Sequence, residues 1–247
     1  MALMVCPECG KMISDIAISC PNCGCPSAVW QAKTEKKLLP IFAGTTFEFG
    51  KYPYGLAGEI KPIQWKVLAL CPKLQIAILI SEYIIEAKPF NNEFIEVNWK
   101  NSSLCQWMNG AFLSEAFSTS EKEVMLNPFN SMDRTSRVFL PTKEDVDNFL
   151  KNAERECKVT PYARKRGVSV DISTGMGSWW LNQVHNKYAM IINSAGVCGG
   201  IDYAPVQFGD IGVRPEIIIS YIPEEDEQGE MFGSMGFVKI SESNMKK

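Results

Sequence analysis

Hydrophobic and polar positions alternate in several runs of this chain, and those runs define most of its predicted elements. Thr45 to Phe49 alternates like a half-buried strand, and Gly50 and Pro53-Tyr54-Gly55 mark turns after it. Ile63 to Leu70, a turn at Cys71-Pro72-Lys73, and Leu74 to Ile85 predict a β-hairpin. In its second arm Ile76, Ile78 and Ile80 fall on one face, with Ala77 and Leu79 on the other. Both faces are apolar, which predicts a central strand. The densest stretch is Ser178 to Tyr221. Its three β-like runs, separated by Gly and Asn, read as strands of one sheet and as the core of the main domain. Trp179 and Trp180, at its start, are expected to be structural core residues.

Helical spacing is shorter-lived. Asn101-Ser102-Ser103 is an N-cap signal, and Leu104, Trp107, Met108, Ala111 and Phe112 follow at helical intervals, with Gly110 expected to bend the run. A short helix is predicted over Ser120 to Leu126 and a short strand over Val138 to Leu140. Pro141-Thr142 then caps a helix with Glu144 and Asp145 in its first turn, where the dipole favours acids. Residues 154–177 read as a long loop carrying a basic cluster at Arg155, Lys158, Arg164, Lys165 and Arg166. The pattern divides the chain into a small N-terminal unit (1–26), a polar linker (27–40), an α+β main domain (41–222) and a loose acidic tail (223–247).

Composition narrows the classes. A hydrophobic fraction of 46% and a net charge of −3 describe a globular chain with no general attraction for nucleic acid or anionic lipid. No run of about 18 apolar residues is present, so no membrane span is expected. Nine cysteines without a visible export signal favour thiolate chemistry in a reducing, cytoplasmic setting over disulfides.

Those cysteines carry the sharpest chemical signal. Cys6-Pro-Glu-Cys9-Gly is repeated as Cys20-Pro-Asn-Cys23-Gly. Two intervening residues let both sulfurs of a pair reach one ion from a single tight turn. Proline fixes the backbone after the first cysteine, and glycine after the second accepts a positive φ. Four thiolates around a d¹⁰ ion make the closed tetrahedral site of a structural zinc ribbon. One zinc held by Cys6, Cys9, Cys20 and Cys23 is therefore expected, with iron or a redox disulfide as alternatives. Cys25 lies too close to Cys23 to serve as a simultaneous ligand.

A longer series of motifs runs from Phe49-Gly50-Lys51-Tyr52-Pro53 through Gln64-Trp65-Lys66-Val67-Leu68, Trp99, Asn101-Ser102-Ser103-Leu104 and Trp107-Met108-Asn109. It continues with Phe139-Leu140-Pro141-Thr142 and ends at Trp179-Trp180-Leu181 and Gly212-Val213-Arg214-Pro215. The ordered set resembles the bacterial domain-of-unknown-function 6273 family, which is often found behind a zinc ribbon. The chain departs from that pattern at Leu181-Asn182-Gln183-Val184, where the family usually has Leu-Arg-Ser-Pro. Its terminal strands are also similar to those of C-type-lectin-like domains. That resemblance implies a twisted antiparallel sheet, two main helices and long loops on one side. It also implies that Thr45–Phe49 lies beside Glu216–Ser220.

Candidate catalytic groups are sparse. His185 is the single histidine and sits in a polar turn, and Cys157 and Cys198 have no base nearby in sequence. Arg214 reads as a structural arginine bonded to backbone carbonyls or a buried acid. The lectin-like resemblance and the missing catalytic set favour a non-catalytic module that binds a protein or small molecule. Its expected recognition face is the loops between Gly167 and Gly212, with His185, Asn193, Asp202 and Tyr203 offering mixed polar and aromatic contacts. Two alternatives are an enzyme using His185 and loop carboxylates, and a nucleic-acid accessory protein acting through the ribbon. Lys11 alone against Glu8 and Asp15 makes phosphate contacts by the ribbon unfavourable.

Overall fold

A computed structural model describes residues 3–6, 8–14, 17–26, 36–127, 136–198, 203–225 and 231–241. The fold is mixed α+β, built mostly of antiparallel sheets with a few short helices. One sheet has the order β4 (Thr46–Pro53), β5 (Ile60–Cys71), β6 (Ile76–Ser81), β16 (Glu216–Ser220), β8 (Met125–Leu126), and β9 (Val138–Phe139) also pairs with β16. The β5–β6 hairpin turns through a 3-10 segment, Pro72–Leu74, and closes on Gln75 at φ 56. β6 is interior, flanked by β5 and β16, as its two apolar faces require.

A second sheet has the order β14 (Tyr203–Pro205), β13 (Tyr188–Ile192), β12 (Trp179–His185), β15 (Gly212–Val213), β7 (Glu86–Ala87). Its first residues explain how one strand serves two cores. Adjacent side chains on a strand point to opposite faces. Trp180 accordingly enters the larger core with Trp65, Phe112 and Ile217, while Trp179 enters a second core with Ile84, Val146 and Leu181. Both indoles are fully buried and both N–H groups are satisfied, Trp179 by the Arg155 carbonyl (3.0 Å) and Trp180 by the Lys88 carbonyl (2.9 Å).

Two expectations are corrected here. The run from Gly212 to Ser220 does not stay in one sheet: β15 belongs to the second sheet and β16 to the first. The break falls at Arg214-Pro215, where proline removes a ladder donor and fixes φ. The expected neighbours Thr45–Phe49 and Glu216–Ser220 are not adjacent, because β5 and β6 lie between β4 and β16. The ends of the domain do meet, through other segments. β3 (Lys36–Phe42) pairs with β18 (Met231–Ser241), and β18 with β17 (Ile222–Glu225), in a three-stranded sheet.

That sheet also changes the reading of both flanks. Residues 36–40, expected to close the linker, are strand, and so are the described parts of the expected tail. Weak side-chain pattern concealed this, since the ladder from Met235↔Phe42 to Ser241↔Lys36 is made by backbone groups. Ile41 and Val238 then reach the larger core. The stretch read as a long loop, 154–177, holds the helix Pro161–Arg166 and a two-stranded ladder of β10 (Cys157–Lys158) with β11 (Met176–Gly177). Its helix signals are local: the Thr160 hydroxyl accepts from the Ala163 amide, proline takes the first position, and Gly167 closes the end at φ 116. The basic residues Arg164, Lys165 and Arg166 fall in its last turn, where the dipole favours cations.

Candidate metal centre

The four cysteines of the repeated motif converge. Their sulfurs all lie within 4.8 Å of one another, with Cys6 Sγ 3.6 Å from Cys23 Sγ and Cys9 Sγ 3.7 Å from Cys20 Sγ. Each knuckle builds the same hydrogen bonds. Cys6 N–H donates to the Lys11 carbonyl (2.8 Å) and Gly10 N–H to the Cys6 carbonyl (2.9 Å); Cys20 N–H donates to the Cys25 carbonyl (2.7 Å) and Gly24 N–H to the Cys20 carbonyl (2.8 Å). Gly10 and Gly24 sit at φ 72 and 74, conformations that a side chain would strain. The strands β1 (Leu3–Val5) and β2 (Met12–Ser14) flank the first knuckle, and a Ser19–Pro26 bridge flanks the second. Lys11 Nζ joins the two by donating to Asn22 Oδ1 at 2.8 Å. The group can hold one metal ion by sulfur alone. The Lys11 amide holds the Cys9 thiol down, to about 6, whereas burial and the neighbouring thiols push Cys23 up, to about 12, so without an ion the four sulfurs do not all favour the thiolate. Cys25 is buried against Cys6, Cys20 and Ile13 and stands outside the four-sulfur group.

The other predicted site residues are dispersed. His185 ends β12, exposed and paired across the turn with Tyr188; its ring nitrogen contacts the Asn186 amide at 3.4 Å. Asn193 lies past the other end of β13 and is used internally, accepting from the Ala195 and Val197 amides (3.0 and 3.1 Å). Tyr203, on β14, pairs with Met190 of β13. Asp202 lies outside the described residues. Thus His185 and Asn193 sit at opposite ends of one strand. Arg214 is buried over the Trp179 ring and donates to the carbonyls of Ser81 (3.0 Å) and Glu154 (3.1 Å).

Two buried acids were not legible in the sequence. Glu86 accepts from Tyr52 Oη (3.0 Å), Arg166 Nε (3.1 Å) and the Ala87 amide (3.0 Å), which joins three segments far apart in the chain. Burial, reinforced by the Glu86 charge, raises the Tyr52 pKa, so the phenol stays a donor. Glu216 is 3% exposed, and its Oε2 has no hydrogen-bond partner among the described residues. Burial, with Asp145 adding to it, raises its pKa well above the ordinary value of 4.5. The folded chain therefore keeps a proton that the unfolded chain loses near 4.5. Stability from this group is full below that pH and declines as pH rises towards the folded value, by at most about 1.4 kcal/mol per pH unit. Glu216→Gln should melt like the parent at pH 4 and at progressively higher temperature than the parent towards pH 8. Parallel melting curves across that range would refute a buried protonated Glu216.

Among the described residues no helix is long and apolar enough to cross a membrane. No curated protein and no solved structure matches the chain. One family model, described as Domain of unknown function (DUF6273), matches residues 76–221, from the start of β6 to the residue after β16. That span holds Trp179, Trp180 and Arg214, the residues on which the two sheets cross, and covers more than half of the sequence. The chain therefore belongs to the DUF6273 family.

Proposed function

We propose that this protein is a zinc-containing, non-catalytic binding protein, in which the ribbon is a structural zinc unit and the main domain recognises a partner. A tetrahedron of sulfurs about 2.3 Å from a zinc ion has edges of about 3.8 Å. The Cys6–Cys23 and Cys9–Cys20 separations of 3.6 and 3.7 Å fit that size. With all four positions taken by thiolate, such an ion has no open site for substrate, so its contribution is to folding.

The binding reading is carried by one surface feature. Phe94, Ile95, Tyr188 and Phe208 are between 38% and 49% exposed. Phe94 and Tyr188 meet edge-to-face at 5.8 Å, and Lys187 lies over the Phe94 ring at 5.3 Å. Backbone bonds from Val97 to Asn186, Asn91 to Val206, and Val206 to Lys187 hold the three contributing loops together. Rigidly held aromatics at a polar rim are the composition of recognition surfaces. The register Tyr188↔Pro205 and Met190↔Tyr203 puts Tyr203 on the same face as Tyr188, and His185 adjoins it across the turn. Long loops on one side of a sheet are also the recognition device of C-type-lectin-like domains, although here β3 and β18 are the strands that join the domain's ends.

Replacing Phe94 and Tyr188 together by serine should change stability by less than about 1 kcal/mol, as exposed side chains do. It should also abolish capture of a partner from cell extract. Capture that survives in this variant but is lost in ribbon variants would place recognition in the ribbon instead.

A further inference from the structure

The side chain of Asn109 takes the place of a strand. The helical run 103–116 widens into a π turn at Met108–Phe112, and there Asn109 lies against β9. Asn109 Oδ1 accepts from the Arg137 and Val138 amides (2.7 and 3.0 Å). Its Nδ2 donates to the carbonyls of Val138 (2.8 Å) and Cys105 (3.2 Å). β9 pairs with β16 through Val138↔Ile217 and Phe139↔Glu216, and with no other described strand. The carboxamide therefore acts as the second neighbour, satisfying both backbone groups of the fully buried Val138. That requires a donor and an acceptor on one side chain. An acid at this place would keep the two accepted bonds but turn an oxygen towards the Val138 and Cys105 carbonyls. Gly110 comes next, and Asn109-Gly110 is the single Asn-Gly step in the sequence. Such a step cyclises readily, because glycine has no side chain to shield its own nitrogen. Gly110 is exposed, and a methyl group added there would meet nothing within 4 Å.

We propose that Asn109-Gly110 is a latent deamidation site, which the native fold protects and whose modification bars the chain from refolding. In the reaction the Gly110 backbone nitrogen gives its proton to hydroxide and attacks Asn109 Cγ. The new N–Cγ bond forms, the Cγ–Nδ2 bond breaks, and ammonia leaves with a proton taken from water. A further water opens the cyclic imide at either carbonyl, which gives aspartate or isoaspartate. In the folded chain the helical backbone holds the Gly110 nitrogen away from Cγ, and the four hydrogen bonds hold the carboxamide. Both restraints vanish on unfolding. Either product lacks the donor that Val138 requires, and isoaspartate also lengthens the backbone inside the helical run.

The test ages the full chain at mildly alkaline pH with reductant, either folded in buffer or unfolded in guanidinium. Peptide mass spectrometry reads the conversion of amide to acid at 109. Conversion should be at least about tenfold slower in the folded chain, the reduction that a local opening free energy of about 1.4 kcal/mol imposes. In the unfolded parent, refolding yield should fall in step with conversion. Gly110→Ala fits the open helical position and should fold like the parent, yet convert far more slowly in guanidinium and keep its refolding yield. Asn109→Asp should melt at least about 2 °C below the parent, or fail to fold, because a buried carbonyl loses its donor. Equal conversion in folded and unfolded chains refutes the proposal. So does a refolding yield that falls in Gly110→Ala as it does in the parent, or an Asn109→Asp variant that melts with the parent.

Discussion

Cys9→Ser should strip the protein of its metal and unfold the ribbon while leaving the melting of the main domain in place. Among the described residues the ribbon's own core is Cys6, Ile13, Cys20 and Cys25, with Cys9 and Ala17 packed against it. So few side chains cannot offset the conformational entropy of about twenty residues. On the zinc proposal, metal binding supplies the difference, about 10–16 kcal/mol for structural zinc units at neutral pH. Cys9 is the informative position because it is only half-buried, so serine there costs little packing and the loss reports ligation. Cys25→Ser is the matched control: it disturbs a more buried thiol outside the four-sulfur group and should keep one metal per chain. No described ribbon residue belongs to either main core cluster, which is why the main transition should survive. Metal analysis, together with thermal melting of both variants, decides the matter. A metal content near zero in the parent, or iron in place of zinc, overturns the zinc assignment. Loss of metal in Cys25→Ser would instead mean that the coordinating set differs.

The second large effect concerns the limits of the folding unit. A fragment confined to residues 76–221, the span of the family model, should show no cooperative unfolding transition, whereas residues 36–241 should. The fragment lacks β5, which separates β4 from β6 in the sheet, so β6 would become an edge, and its Ala77–Leu79 face would lose neighbours from the larger core. It also lacks Trp65, fully buried with its indole N–H on the Phe49 carbonyl at 2.7 Å. Loss of one such side chain costs about 3–5 kcal/mol, against a typical total stability of about 5–15 kcal/mol. Phe47, Phe49 and Val67 from the same two strands, and Ile41 and Val238 from the β3–β18 pair, leave the core with it. The sum exceeds what a domain of this size can lose. Near-ultraviolet circular dichroism during thermal melting reads the outcome, since the tryptophans report fixed packing. A cooperative transition in 76–221 close to that of the full chain would show that the outer strands are accessory. Trp65→Ala in the full chain is the graded version and should lower stability by about 3–5 kcal/mol.

What is local can be read from the residues alone. Two residues between cysteines, a proline and a glycine specify each knuckle, because the sulfurs and the amides that support them come from a single turn. The β5–β6 hairpin was legible for the same reason: a period of two on both arms and a turn with proline. Thr142 with Asp145 wrote its capping box within four residues. The two tryptophans announced burial by their size, though not that they would face two different cores. The remainder depends on contacts between segments far apart in the chain. Pro215 carries the chain from one sheet to the other, and whether a proline ends a strand or passes it to a neighbouring sheet depends on which partner waits there. The β3–β18 pair was hidden because backbone ladders leave little mark on side-chain pattern. Glu86 looked like any surface acid until Tyr52 and Arg166, 34 positions before it and 80 after, closed on it. The candidate binding residues rest on loop composition, and composition carries no distance: His185 and Asn193 lie at opposite ends of one strand, while Phe94 and Tyr188 come together across 94 residues of chain.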